Sequence, residues 1–161
     1  MHFHSIKDLL DLPELFVLST KKINGQIFID AAPVASHQSY PVCTSTQTIC
    51  RGVNSIRKVR HLDSFGCVVY LNLPAIRLSC TSCGAHFVWS YDCVAPKKRY
   101  TKAFENSLPK QVVGATVIHA ARVTNTPATT IAVFFILGKP KKPHAFKKPV
   151  NHKLPRTLNW C

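Results

Sequence analysis

Tyr40-Pro-Val-Cys43 at one end and Cys80-Thr-Ser-Cys83-Gly84 at the other bracket the stretch on which the reading of this chain turns. Between them runs Arg51-Gly-Val-Asn-Ser-Ile-Arg-Lys-Val-Arg-His61, then an alternating apolar segment marked by Val69, Leu71 and Leu73. Two cysteines separated by two residues place both sulfurs on one tight turn, where they reach a single metal ion in tetrahedral geometry. Closing such a site takes a second pair carried in by the intervening chain. Here the second pair holds Cys43, but Tyr40 stands where its partner belongs, and a phenol is a poor ligand beside thiolates. Cys43, Cys80 and Cys83 are therefore the candidate ligands, with His37 or Cys50 as candidates for the fourth. The expected cofactor is zinc; the alternative is a pair of turns that holds no metal.

Working outward, residues 52–62 read as a strand that is basic on one side through Arg57, Lys58 and Arg60. Asp63-Ser-Phe-Gly66 turns the chain, residues 67–78 return it, and residues 87–89 add a short strand. Cys67 falls in the alternating strand and reads as a small core residue, while Cys93 and Cys161 have no spacing partner. Upstream, Ser5 caps a short helix over residues 5–12 that Pro13 ends. Residues 14–22 and 26–32 read as two strands around Asn24-Gly25, a pair suited to a type I′ turn because both central residues need positive φ. Residues 33–38 read as a linker.

Downstream, Ala95-Pro-Lys-Lys-Arg-Tyr-Thr101 leads into apolar positions at helical spacing, Ala103, Phe104, Leu108 and Val112. Thr101 is the expected N-cap, and Pro109 is expected to kink or break the helix. Residues 115–122 read as a second helix, residues 123–126 as a turn, and residues 128–137 as a third helix with Thr126 as N-cap and Pro127 in its first position. Helix, short turn and helix read as a helix-turn-helix whose second helix enters the major groove, or else as an ordinary αα-hairpin. Past Gly138, the Pro/Lys tract over residues 139–149 reads as extended and disordered. The expected fold class is therefore α+β: a small antiparallel zinc-ribbon-like finger with an N-terminal helix and hairpin, then a helix-turn-helix module and a disordered basic tail. The expected domains are 1–34, 35–94, 95–138 and 139–161.

With 161 residues the chain is one domain or a few small modules. Lys and Arg number 21 against seven acids, a net charge of +14, which favours a polyanionic partner, nucleic acid first. The seven cysteines are an odd number and no secretory signal opens the chain, so reduced thiols or metal are expected rather than a disulfide framework, in a cytoplasmic protein. The longest apolar run, residues 131–137, is far short of the ~20 residues a membrane span needs, so no membrane partner is expected. No glycine-rich phosphate loop or nucleophile elbow is present, and no small-molecule substrate is expected.

Leu9-Leu-Asp-Leu-Pro13, Tyr40-Pro-Val-Cys43, Arg57-x-x-Arg60-His61-Leu62, Arg77-Leu-Ser-Cys80-x-x-Cys83 and Phe87 occur in an order that resembles the opening of an ISL3-type transposase. The resemblance covers roughly residues 6–125 and departs at Tyr40. It implies a zinc finger, a helix-turn-helix and then a catalytic domain in which acids hold two divalent metals about a phosphate. Leu154-Pro-Arg-Thr-Leu158 resembles the segment just ahead of the family's first catalytic Asp, and none of Asp8, Asp11, Glu14, Asp30, Asp63, Asp92 and Glu105 matches its motif. The expectation is a DNA-binding N-terminal part that recognises the terminal repeats of an insertion sequence on double-stranded DNA, with no catalytic activity of its own. The alternative is a regulatory or non-functional relic associated with an intact transposase. The residues expected to contact DNA are Arg57, Lys58, Arg60, Lys97, Lys98, Arg99, Lys102, Arg122, Thr126, Thr129 and Thr130.

Overall fold

A computed structural model describes residues 10–111 and 114–137. Five strands, β1 (Leu15–Ile23), β2 (Gln26–Pro33), β3 (Thr48–Arg60), β4 (Val68–Cys80) and β5 (His86–Val88), precede three helices, α1 (Lys102–Gln111), α2 (Val117–Val123) and α3 (Ala128–Leu137). β1 and β2 form the expected hairpin. Asn24 and Gly25 take φ of 49° and 72°, the left-handed pair that lets a two-residue turn follow the twist of the strands.

The expected fold class is corrected by what β4 does. It lies between β2 and β3, antiparallel to β3 but parallel to β2 from Gln26↔Val68 to Asp30↔Asn72, while β5 pairs with its far end. Hairpin and finger strands thus share one five-stranded mixed sheet, with three short helices beside it, in place of a zinc ribbon followed by a helix-turn-helix module. The cause is apolar area. Leu71 and Leu73 are fully buried and the burial runs on unbroken through Pro74, Ala75 and Ile76. A strand apolar on both faces needs neighbours on both sides and cover above and below. Pro74, which cannot donate to a ladder, sits opposite Ile56 where the register of β3 shifts, the place a central strand tolerates proline. Asp30 fastens the parallel seam by accepting from Ser19 Oγ (2.6 Å) on β1 and Asn72 Nδ2 (2.8 Å) on β4.

The main core gathers Leu15, Val17, Ile29, Val59, Leu71 and Trp89 among others, and Cys67 is buried as expected. A second, smaller cluster, Phe104, Leu108, Ala120 and Ile131, joins the three helices. α2 has only seven residues, too few to stand without such packing. Thr101 caps α1 through the Phe104 N–H. α1, Lys102–Gln111, continues through Pro109, in place of the break expected there.

The turn between α2 and α3 is held to the sheet by Arg60, a residue expected to contact DNA. Its side chain is buried and donates to the Asp63 carboxylate (2.9 and 3.1 Å), Thr124 O (3.1 Å) and Asn125 O (3.2 Å). The sequence of α3, Ala-Thr-Thr-Ile-Ala-Val-Phe-Phe-Ile-Leu, has no side chain that makes a bidentate base contact. Thr126, expected to cap it, is itself buried and donates back to Thr124 O (3.1 Å). Most of the expected helix over residues 5–12 and all of the tail over residues 139–161 lie outside the described residues. No described helix is long and apolar enough to cross a membrane.

Candidate metal centre and basic groove

Residues 40–45 and 80–85 form two turns of the same construction. In the second, Gly84 N–H donates to Cys80 O (3.0 Å) and Cys80 N–H to Ala85 O (2.8 Å). In the first, Thr44 N–H donates to Tyr40 O (2.9 Å) and Tyr40 N–H to Ser45 O (3.0 Å). Thr44 and Gly84 both take positive φ, 56° and 72°. A β-branched residue rarely adopts that conformation, so at Thr44 the turn imposes it. The two turns are tied together by Thr81 N–H to Gln47 O (2.9 Å) and by a Ser45–Ser82 hydroxyl pair (2.7 Å).

This construction brings together the cysteines predicted from spacing. Cys43 Sγ lies 3.5 Å from Cys80 Sγ and 3.6 Å from Cys83 Sγ, and all three sulfurs lie within 4.8 Å of one another. Such a cluster can hold a metal ion. Cys80 is buried, while Cys43 and Cys83 are exposed. The Cys83 N–H, then the Ser82 N–H and the sulfurs of Cys43 and Cys83, hold the Cys80 thiol down to about 7 against the effect of burial. Cys83 is raised: the Ala85 N–H lowers it, but burial and its two sulfur neighbours outweigh that.

Neither candidate for a fourth ligand belongs to the cluster. His37 is exposed with Nδ1 3.2 Å from Ser36 Oγ, and Cys50 lies along β3 opposite Leu78, packed against the core. Tyr40 holds the first position of its turn and lays its ring on Phe87, with centroids 5.1 Å apart. Among the other described cysteines, Cys93 is half-buried. Burial, then the Glu14 carboxylate beside it, pushes its thiol far up, and it stays protonated. Glu14 in turn accepts from the Asp92 and Cys93 N–H groups (2.7 and 2.6 Å).

The basic residues converge on a second feature. Arg57 and Lys58 on β3 face Lys97, Lys98 and Arg99 across a groove of about 650 Å³ that no acidic residue lines. Arg57 Nη2 donates to Lys98 O (3.1 Å) and so holds the loop against the strand. Lys58 reaches over the stacked rings of Tyr70 and Phe28, 3.9 and 4.6 Å from their centroids, which fixes its ammonium over aromatic faces. Lys58 and Arg99 also line an adjoining cavity of about 300 Å³ with Tyr70, Tyr100, Asn125 and Thr126. Lys102, Arg122 and Thr129 are exposed and Thr130 is half-buried; none of the four lines either cavity. Sequence reading passed over Tyr70, whose only signal was its place in an alternating strand, and Tyr100, which stands in a run of basic residues.

No family model matches the chain, no curated protein matches it, and no solved structure matches it.

Proposed function

We propose that this protein is a non-catalytic, double-stranded DNA-binding module of the kind that opens an ISL3-type transposase, with zinc structuring its paired turns. The observation that carries the reading is the groove. Five cationic residues from two separate segments, Arg57, Lys58, Lys97, Lys98 and Arg99, line one concave surface, with Lys98 Nζ also 4.0 Å from the Glu105 carboxylate. Spaced cations on a concave surface suit a row of phosphates, which supply affinity and position rather than sequence information. The net charge of +14 adds long-range attraction to the same partner. In this reading the groove, not α3, meets the duplex, and Arg60 supports the groove from behind.

Three thiolates suit zinc by donor chemistry. Zinc–sulfur bonds of about 2.3 Å at tetrahedral angles set sulfurs about 3.8 Å apart, close to the separations in the cluster. When bound, zinc would cross-link the two turns at the end of the β3–β4 ladder and so brace the strand that carries Arg57 and Lys58.

The test is a binding titration on duplex DNA across salt concentration. Log affinity falls with log salt by about 0.9 per phosphate neutralised. Replacing Lys97, Lys98 and Arg99 by alanine is expected to flatten that slope by up to about 2.7 and to weaken all duplexes alike. An unchanged slope in the triple variant would remove the groove from the proposal. Preference for insertion-sequence ends over scrambled duplex is expected if the transposase likeness holds; its absence would leave a general duplex binder.

A further inference from the structure

The matching construction of the two turns identifies the residue at the fourth ligand position. Tyr40 holds in the first turn the place that Cys80 holds in the second, as Cys43 matches Cys83. The Tyr40 ring is turned onto Phe87 and committed to that packing. His37 and Cys50 stand outside the cluster. The donor set is therefore three sulfurs. A tetrahedral ion held by them keeps one position that an outside ligand must fill, as in zinc sites with an open coordination position. A thiophilic ion whose coordination ends at three has no such need, because a lone pair takes the fourth direction.

We propose that Cys43, Cys80 and Cys83 form a site for a soft ion complete with three sulfurs, such as trivalent arsenic, in preference to four-coordinate zinc. The inference rests on the reading of these cysteines as metal ligands and goes beyond it in naming the ion class. Soft thiolate donors select soft ions, and here geometry adds to that selection. The capture step balances without an oxidant or reductant. Arsenous acid, As(OH)₃, condenses with three thiols: three As–O bonds break, three As–S bonds form, and the thiol protons leave with the hydroxyls as three waters. Arsenic stays trivalent throughout. Cys67 and Cys93 are the other free thiols among the described residues, and neither belongs to the cluster.

The experiment titrates the reduced full chain with arsenite and with zinc, following adduct mass and the number of thiols that remain reactive. The two ions then compete. One arsenic per chain is expected, protecting three thiols and displacing zinc when the two ions are offered at equal concentration. Tyr40→Cys, which supplies the fourth thiolate, is expected to reverse that preference. Tyr40→Phe is expected to behave as the native chain; a loss of zinc affinity there would make the phenol a ligand and overturn the proposal. Cys67→Ser and Cys93→Ser are expected to leave arsenic uptake intact, and uptake lost in either would place the arsenic elsewhere and overturn it too. If the native chain holds zinc tightly but arsenite protects no thiol, this inference fails and the metal reading stands. If neither ion protects any thiol, both fail.

Discussion

His61 follows Arg60 in the basic strand, yet its ring is buried, with Nδ1 3.0 Å from the Thr101 hydroxyl and the Leu10 backbone bonded to it as well. Burial lowers its pKa below the usual 6.5, against the smaller opposing pull of the Leu10 bond. The sign follows from linkage. Because the folded state resists the proton, stability is complete above about pH 6.5 and is lost as pH falls below it toward the lowered folded value. One such group contributes a slope of up to about 1.4 kcal/mol per pH unit. Denaturant unfolding of the native chain between pH 7 and 5 should show that slope, and His61→Gln should flatten it. A slope that persists in the variant would assign the pH dependence to other groups. Arg-His in a basic run reads as surface when only the sequence is in hand; what reverses it is the arrival of Thr101 and Leu10 from distant segments.

At the scale of elements, β4 decides the architecture and Asp30 fastens its unusual side. The Ser19 hydroxyl first, then the Asn72 amide, hold the Asp30 carboxyl below 3.8, with burial opposing and Lys21 assisting. Those bonds contribute stability that is present above pH 3.8 and lost as pH falls through the lowered folded value. Asp30→Asn is expected to cost about 1–2 kcal/mol at neutral pH and to remove its share of the acid-unfolding slope. Amide exchange read along β2 should quicken in the variant relative to the β3–β4 ladder. Equal protection would show that the parallel seam stands on apolar packing alone. The β1–β2 hairpin was legible because Asn24-Gly25 is a local signal. The seam was not, because a parallel pairing between residues 42 positions apart leaves no local mark, and its polar clamp is built from a Ser, an Asp and an Asn on three strands.

For the molecule as a whole, Arg60 is the join between sheet and helices. Its guanidinium serves two carbonyls and one carboxylate in a buried setting, and its Cζ lies 5.0 Å from the Phe104 centroid. Arg60→Met keeps the length and removes the donors, leaving the Thr124 carbonyl without its Arg60 bond. A loss of about 2–4 kcal/mol is expected. The loss should fall on the helices: exchange protection in α1–α3 should drop while the β3–β4 ladder keeps its own. If helices and sheet lose protection together, they form one cooperative unit and Arg60 is not a separable join.

Local chemistry determined a good part of this protein from sequence alone. Residue spacing named Cys43, Cys80 and Cys83 as the cluster that could hold a metal ion, Tyr40 as the departure from it, and the strand and hairpin order, because turns and alternation act over a few residues. Tertiary structure alone decided that β4 inserts between β2 and β3, which follows from burying a strand apolar on both faces. It also decided where each cation ends up: Arg57, Lys58, Lys97, Lys98 and Arg99 line a groove, while Arg60, on the same strand as Arg57 and Lys58, is drawn inside. A charge reads the same in sequence wherever it ends up; only packing sets whether its neighbours are water or the carbonyls of a distant turn.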